Sequence, residues 1–219
     1  MLDFYDTLTA RLRASGDYVW PLALRLVMFW EFWESGITKL HGRNWFADIP
    51  WADWQKGFPW PFDIIPQNLN WLAATWGEIM FSLLVLFGLF TRFAAISLIV
   101  ITAVATAAVH WPAQWSSLDV LWSGYVITAK SAGNFKLPLL FMVMLLPLVF
   151  YGGGKISFDQ LLLKITGRNA GAHDRLGDAT AAAVAFLVLA LATVFLETSW
   201  GLSFLAMAIV TTVAPALVR

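Results

Sequence analysis

The chain has 219 residues, of which 59% are hydrophobic and only 13% are charged. A soluble domain carries about 25% charged residues, so this composition favours a membrane protein. The formal net charge is zero, which argues against a large nucleic-acid surface built from clustered Lys and Arg. The absence of cysteine excludes disulfides, thiolate metal sites and cysteine redox relays within the chain.

Long apolar segments recur along the chain and predict an all-α, polytopic transmembrane helix bundle. A bilayer core about 30 Å thick needs about 20 apolar residues to cross it as a helix. The first three segments are clear spans, and Pro147 predicts a kink in the fourth. The last two are short, at about 17 residues each, and predict a transmembrane hairpin or a re-entrant pair, of which we favour the hairpin. The segments are 18–38, 71–90, 93–111, 137–151, 180–196 and 202–218.

The segments predict a four-part organisation. Residues 1–17 form an N-terminal segment without the pattern of a cleavable signal peptide, so the first span is expected to be a retained anchor. Residues 18–166 form a four-helix core with a Trp-rich outer loop at 41–70. Residues 167–179 form a polar linker, and residues 180–219 form the C-terminal hairpin. Thr91 is predicted to cap the third helix after a two-residue connection. Ser157 to Gln160 predict a capping box that opens a short interfacial helix, 158–165.

Lys and Arg near the segment ends predict the orientation. With the N-terminus inside, the inner side carries the larger share of basic residues, so both termini are expected in the cytoplasm and the protein in the inner membrane. The inner set is Arg11, Arg13, Arg92, Lys155, Lys164, Arg168, Arg175 and Arg219; the outer set is Lys39, Arg43, Lys56, Lys130 and Lys136.

Most of the 13 tryptophans fall on the predicted outer side. An aromatic belt at the membrane interface explains Trp71, Trp111 and Trp200. It explains less well the tryptophans in the middle of loop 41–70, which is too long to be a plain connector. We therefore expect this loop to form a folded cap over the outer end of the bundle.

Ionisable residues inside the predicted spans are the candidates for function, because charge is costly in the bilayer. Glu34, Glu78 and His110 are predicted to share one layer in the outer half of the bundle, as catalytic groups or as ligands of a metal ion. A proton relay serving a redox-active ligand is one interpretation, and a structural network that pairs a glutamate with Lys39, Lys136 or Arg25 is the other. The candidate cofactor-binding residues are Arg25, Lys39, Lys136 and Trp76.

Several short motifs in order resemble the DoxX family of membrane proteins: Arg25, then Ser35-Gly-Ile-Thr-Lys39, Glu78, Gly88-Leu-Phe-Thr-Arg92, His110, and Gly152-Gly-Gly-Lys155-Ile-Ser-Phe-Asp159. Further stretches, 30–36, 44–49 and 109–112, are similar to the HvfX-like branch, which is associated with biosynthesis of copper-binding modified peptides. The resemblance implies a four-helix core. It carries the family's recurrent positions over to Arg25, Gly36, Lys39, Glu78, Arg92, Lys155 and Asp159. Arg92 and Asp159 both fall at the predicted inner surface, where they could pair, and we interpret such a pair as architectural rather than catalytic.

Three functions follow from these expectations. The first choice is a membrane accessory protein that assists maturation, export or handling of a copper-binding modified peptide, with a peptide or periplasmic protein as partner. The alternative is a quinone-linked oxidoreductase subunit acting with a partner on sulfur compounds or a peptide. A transporter ranks last, since inverted repeats are not evident. Quinone or copper is the expected ligand, and the bilayer is the expected environment. The sequence leaves open whether the protein forms a homo-oligomer.

Overall fold

The computed structural model describes residues 2–46, 54–111, 117–127, 134–167 and 178–217. Within these residues the structure is all-helical, which confirms the predicted fold class at that level. The helices are α1 (Leu2–His41), α2 (Gln67–Phe87), α3 (Thr91–Ala105), α4 (Leu118–Gly124), α5 (Lys136–Tyr151), α6 (Phe158–Ile165), α7 (Asp178–Thr193) and α8 (Thr198–Leu217). A 3₁₀ turn (Trp54–Gly57) precedes α2, and a π-helical segment (Thr106–His110) continues α3.

Among the described residues, two helical stretches are long and apolar enough to cross a bilayer by length and composition. They are Gln67–Phe87, with 21 residues, and Thr91–His110, with 20. The other predicted spans are helical in the described part but do not pass the same criterion. The first is rich in charge, whereas α5 and α7 have only 16 residues each. The six-span bundle is thus not confirmed. The structure shows that the predicted segments are helical, and it does not show that all six cross a membrane.

Helix α1 has 40 residues and joins residues 2–17 to the first predicted span without a break. At about 1.5 Å per residue it is roughly 60 Å long. Pro21 lies inside it and has no N–H, so the carbonyl of Asp17 loses its helical donor. The N–H of Lys155 donates to that carbonyl at 3.2 Å, which replaces the missing bond. An added Cβ at Gly154 would lie 2.7 Å from the Pro21 ring, so only glycine fits this contact.

The chain divides into two compact units. The first unit contains Met1–Gly42, Thr75–Leu98 and Val143–Ala172. Its core is made of fully buried side chains from four helices: Met28, Val85, Leu98 and Leu145. The connection from α2 to α3 is Gly88–Phe90, one turn earlier than the predicted Thr91-Arg92 connection. Phe81 and Phe93 pack edge to face at 5.7 Å across this hairpin, so α2 and α3 are neighbours as predicted.

The second unit contains Arg43–Ala74, Ile99–Met142 and His173–Arg219. Helices α7 and α8 pack against each other as a hairpin, and Gly201 makes the approach possible, because an added Cβ would lie 2.5 Å from the Val194 Cα. Phe58 and Phe62 from the Trp-rich loop pack edge to face on Phe195 in the α7–α8 turn. Part of the predicted loop 41–70 is thus folded onto this turn. Whether the hairpin spans or re-enters the bilayer stays a prediction.

Several predicted features lie outside the described residues. They include Trp51 and Trp115, Lys130, the motif positions 47–49 and 112, and all but the ends of the predicted linker 167–179, with Arg168, His173 and Arg175. The described helix α4 was not predicted, because its seven residues are too short to show a helical pattern in the sequence.

Candidate functional site

The first unit contains a buried ion pair between α1 and α2. The Lys39 Nζ donates to both carboxylate oxygens of Glu78, at 3.0 and 2.7 Å. It also donates to the hydroxyl of Ser35 at 2.6 Å, one helical turn earlier on α1. Only 6% of the Glu78 side chain and 16% of the Lys39 side chain are exposed. We call Ser35, Lys39 and Glu78 the polar centre.

Gly36 allows α1 and α2 to approach closely at this point. An added Cβ would lie 2.7 Å from the Ile79 Cγ1 and 3.2 Å from the Glu78 Cβ, so no larger residue fits without movement. A buried charge is tolerated when it is paired and hydrogen-bonded. The close approach brings the two opposite charges together, and the polar centre is formally neutral.

Arg25 lies buried on α1, with 4% of the residue exposed. Its Nε donates to the Val85 carbonyl at 2.8 Å, and its Nη2 donates to the Leu86 carbonyl. Both carbonyls lie in the last turn of α2, where the regular helical donors are missing, and the Val85 carbonyl also accepts from the Gly88 N–H at 3.0 Å. Its Nη1 donates to the carbonyls of Gly153, at 3.0 Å, and Ile156. These contacts make Arg25 a clamp between α2 and the glycine-rich turn; its predicted cofactor-binding role stays a prediction.

Asp159 caps α3 from the adjacent helix α6. Its two carboxylate oxygens accept from the backbone N–H groups of Phe90, at 2.7 Å, and Thr91, at 2.9 Å. A carboxylate is favourable here because the N-terminus of a helix carries partial positive charge. The prediction that Thr91 caps this helix is therefore wrong: the Thr91 hydroxyl is buried, and it has no hydrogen-bond partner among the described residues.

The predicted ion pair between Arg92 and Asp159 is also wrong. The Arg92 Nη1 donates instead to the carbonyls of Val149, at 2.7 Å, and Phe150, at 2.6 Å, near the end of α5. Both acceptors are among the unsatisfied carbonyls of a helix C-terminus, where a cation is favourable. Asp159 is occupied by backbone donors, so the two side chains serve separate helix ends.

The other predicted site residues have different surroundings. Glu34 and Trp76 are exposed side chains in the first unit. His110 and Lys136 belong to the second unit. The His110 Nδ1 lies 2.6 Å from the Asn134 Oδ1, and the Lys136 Nζ lies 4.9 Å from the centre of the Tyr125 ring. His110 ends the π-helical segment, a distortion that is frequent at functional sites.

Of the predicted site residues, the structure brings together Lys39 and Glu78. In the described part of the chain, no group of three or more His, Asp and Glu residues is arranged to hold a metal ion. The shared layer of Glu34, Glu78 and His110 stays a prediction. Ser35 was not predicted as part of the site, although its spacing of four residues from Lys39 places both on one face of α1.

The described part of the chain is all-helical, with two helices of membrane length and a buried ion pair between α1 and α2. Residues 20–111 match the DoxX family model. An uncharacterized protein of Haemophilus influenzae is 39% identical over 155 residues, which cover 71% of this chain and 91% of that protein. The chain belongs to the DoxX family. No solved structure matches it.

Proposed function

We propose that this protein is an integral inner-membrane accessory protein that assists maturation, export or handling of a copper-binding modified peptide. The polar centre is the observation that carries the proposal. The stretch 30–36, which resembles the copper-peptide branch, supplies Ser35 from the polar centre and Gly36 from the helix approach beside it. Motif residues that converge on one buried cluster are better explained by a shared function than by separate roles at the surface.

The buried charges support insertion of α1 as a third span, although its composition alone does not favour it. Charged side chains within a bilayer are tolerated where they pair with one another or with backbone carbonyls. Lys39 pairs with Glu78, and Arg25 donates to four carbonyls. With α1 in the bilayer, the bias of Lys and Arg favours cytoplasmic termini and an extracytoplasmic Trp-rich loop.

This loop supports docking of a peptide or protein partner. The Gln55 side chain holds it, because its amide N–H₂ donates to the carbonyls of Phe62 and Ile65 and its carbonyl accepts from Asn70 at 2.8 Å. On this folded loop Trp60 is 78% exposed. A large aromatic side chain displayed on an ordered loop is a favourable anchor for a partner.

A quinone-linked oxidoreductase subunit is the second candidate function. The observation that favours it is again the ion pair, because a buried carboxylate beside an ammonium group can accept and release a proton during quinone chemistry. The chain has no cysteine, so a partner would supply the electrons or the sulfur substrate.

The test compares Glu78→Gln with a control, Asp6→Asn, which removes an exposed carboxylate from α1, away from the polar centre. Each variant replaces the native gene. Copper tolerance is then measured. Where a Cys-rich peptide precursor is encoded beside the gene, its modification state is measured by mass spectrometry. We expect Glu78→Gln to lower both without preventing membrane insertion, whereas Asp6→Asn behaves as the native protein.

His110→Ala and Glu34→Gln extend the same test to the rest of the predicted layer. If Glu78→Gln and His110→Ala both leave copper tolerance, peptide modification and quinone reduction unchanged, the proposed site is rejected. Copurification from native membranes, followed by mass spectrometry of bound ligands and partners, separates the two functions. A modified peptide supports the accessory role, and a bound quinone supports the oxidoreductase.

A further inference from the structure

A groove of about 770 Å³ opens on the first unit beside the glycine-rich turn between α5 and α6. Its walls include the exposed aromatic side chains of Phe93 and Tyr151, which are 61% and 82% exposed, and Leu162 on α6. Its floor includes the Gly152–Gly154 turn and Thr91. Neither the polar centre nor Arg25 lines this groove, so it is distinct from the candidate functional site.

Arg92 is the cation that the groove presents without a carboxylate partner among the described residues. Its Nη1 is fixed by the carbonyls of Val149 and Phe150, which orients the planar guanidinium. The Nε and Nη2 groups donate to no acceptor in the described part of the chain. They face Gly152, where an added Cβ would lie only 3.7 Å from Nε. A fixed guanidinium with adjacent free donors matches the geometry of a phosphate group.

The remaining charges in the groove are already compensated. Asp159 accepts from two backbone N–H groups, and Asp17 pairs with Lys155 at 3.1 Å. The hydrogen bond to Asp17 raises the pKa of Lys155, so this lysine is charged at neutral pH and is held by Asp17. The Thr91 hydroxyl, behind Gly153, is a further polar group without a protein partner among the described residues. The free donors of Arg92 are therefore the part of the groove that is suited to bind an anion.

We infer that this groove binds the phosphodiester of an anionic glycerophospholipid, with the phosphate at Arg92 and an acyl chain along Phe93 and Tyr151. The apolar walls distinguish a lipid from free phosphate, since an inorganic anion gains nothing from aromatic surface. Helix α6 beside the groove exposes Phe158 and Ile165, as expected of a helix that lies in the membrane interface. The inference rests on the proposed membrane location of the protein.

The test uses purified full-length protein in detergent micelles and measures binding of phosphatidylglycerol by titration and native mass spectrometry. Phosphatidylcholine and inorganic phosphate are the comparison ligands. We expect phosphatidylglycerol to bind more tightly than phosphatidylcholine and to resist displacement by millimolar phosphate. Arg92→Gln should weaken its binding about ten-fold, the effect of losing a charge-assisted hydrogen bond. The control, Lys164→Gln, removes an exposed charge from α6 outside the groove and should change affinity less than about two-fold.

Equal losses in Arg92→Gln and Lys164→Gln would indicate diffuse surface attraction and overturn the inference. Equal affinity for phosphatidylcholine, or displacement by inorganic phosphate, would overturn it too. Because Arg92 also holds α5, Tyr151→Ala provides a second variant that changes only an exposed wall. Tyr151→Ala should weaken binding of long-chain phosphatidylglycerol but not of dihexanoyl phosphatidylglycerol. If the native protein and Tyr151→Ala bind the long-chain lipid with equal affinity, the proposed acyl-chain path is rejected. None of these measurements involves copper or peptide, so this inference and the proposed function fail separately.

Discussion

Removing one member of the Lys39–Glu78 pair is the perturbation that tests the polar centre most directly. Glu78→Gln leaves the Lys39 ammonium buried without its carboxylate, and Lys39→Met leaves the carboxylate without its ammonium. The double variant removes both charges and leaves neither group unpaired. We therefore expect the two single variants together to lower the free energy of unfolding by more than the double variant does.

The magnitude follows from the geometry. Opposite charges at 2.7 Å attract by about 6 kcal/mol at an effective dielectric constant of about 20, before the cost of desolvation is subtracted. Both side chains are largely buried, so little of this is lost to solvent screening. Breaking such a pair from one side costs about 3–5 kcal/mol, whereas replacing both members costs far less. With each single change costing about 3–5 kcal/mol and the double change about 1 kcal/mol or less, the coupling free energy between the two sites should be at least about 5 kcal/mol.

The assay is unfolding of the purified protein in mixed micelles, followed by circular dichroism, for the native protein, both single variants and the double variant. Asp6→Asn, an exposed carboxylate on α1, is the control and should change the free energy of unfolding by less than about 0.5 kcal/mol. If the single effects add to within about 0.5 kcal/mol of the double variant, the two residues do not interact and the polar centre is refuted.

Three further outcomes are expected. Asp159→Ala removes the carboxylate that caps α3 and should lower the free energy of unfolding by about 2 kcal/mol; an unchanged unfolding curve contradicts the cap. Gly36→Ala places a methyl group 2.7 Å from Ile79 and should cost about 1–3 kcal/mol, whereas Gly16→Ala, with open space around it, should stabilise α1 by about 0.5–1 kcal/mol. Equal effects at the two glycines would contradict the close helix approach. Tags at either terminus should resist protease in intact spheroplasts, and cleavage of the C-terminal tag would exclude six spans.

Local sequence patterns were sufficient to predict most helices. Apolar segments located α2, α3, α5, α7 and α8 to within a few residues, because the length and composition of each segment carry this information. The Ser157 cap of α6 was also correct: its hydroxyl accepts from the Gln160 N–H at 3.1 Å. Both features depend only on residues near one another in the chain.

The failures involve partners distant in sequence. The cap of α3 comes from Asp159, which is 68 residues from Thr91, and nothing local to either residue indicates the contact. The charges of Arg92 and Asp159 favour a pair. Asp159 instead accepts from N–H groups at the start of α3, and Arg92 donates to carbonyls near the end of α5. The π-helical segment before Trp111 has no sequence signature either. The candidate site was predicted in part, because Lys39 was one of the proposed pairing partners of Glu78. Ser35 was not predicted, because a serine within a helix is common and does not by itself indicate a site.

The charged residues of the first unit differ in what they contact, and this difference separates architecture from function. Arg25, Arg92 and Asp159 bind backbone groups at helix ends, where any protein with these turns would need a partner for them. Lys39 and Glu78 instead bind each other within the helices, and no backbone group requires either charge. Replacing such a pair by apolar residues is often neutral or stabilising, so stability is a weak reason for its presence. Function is the stronger reason, which is why the experiments above start at Glu78.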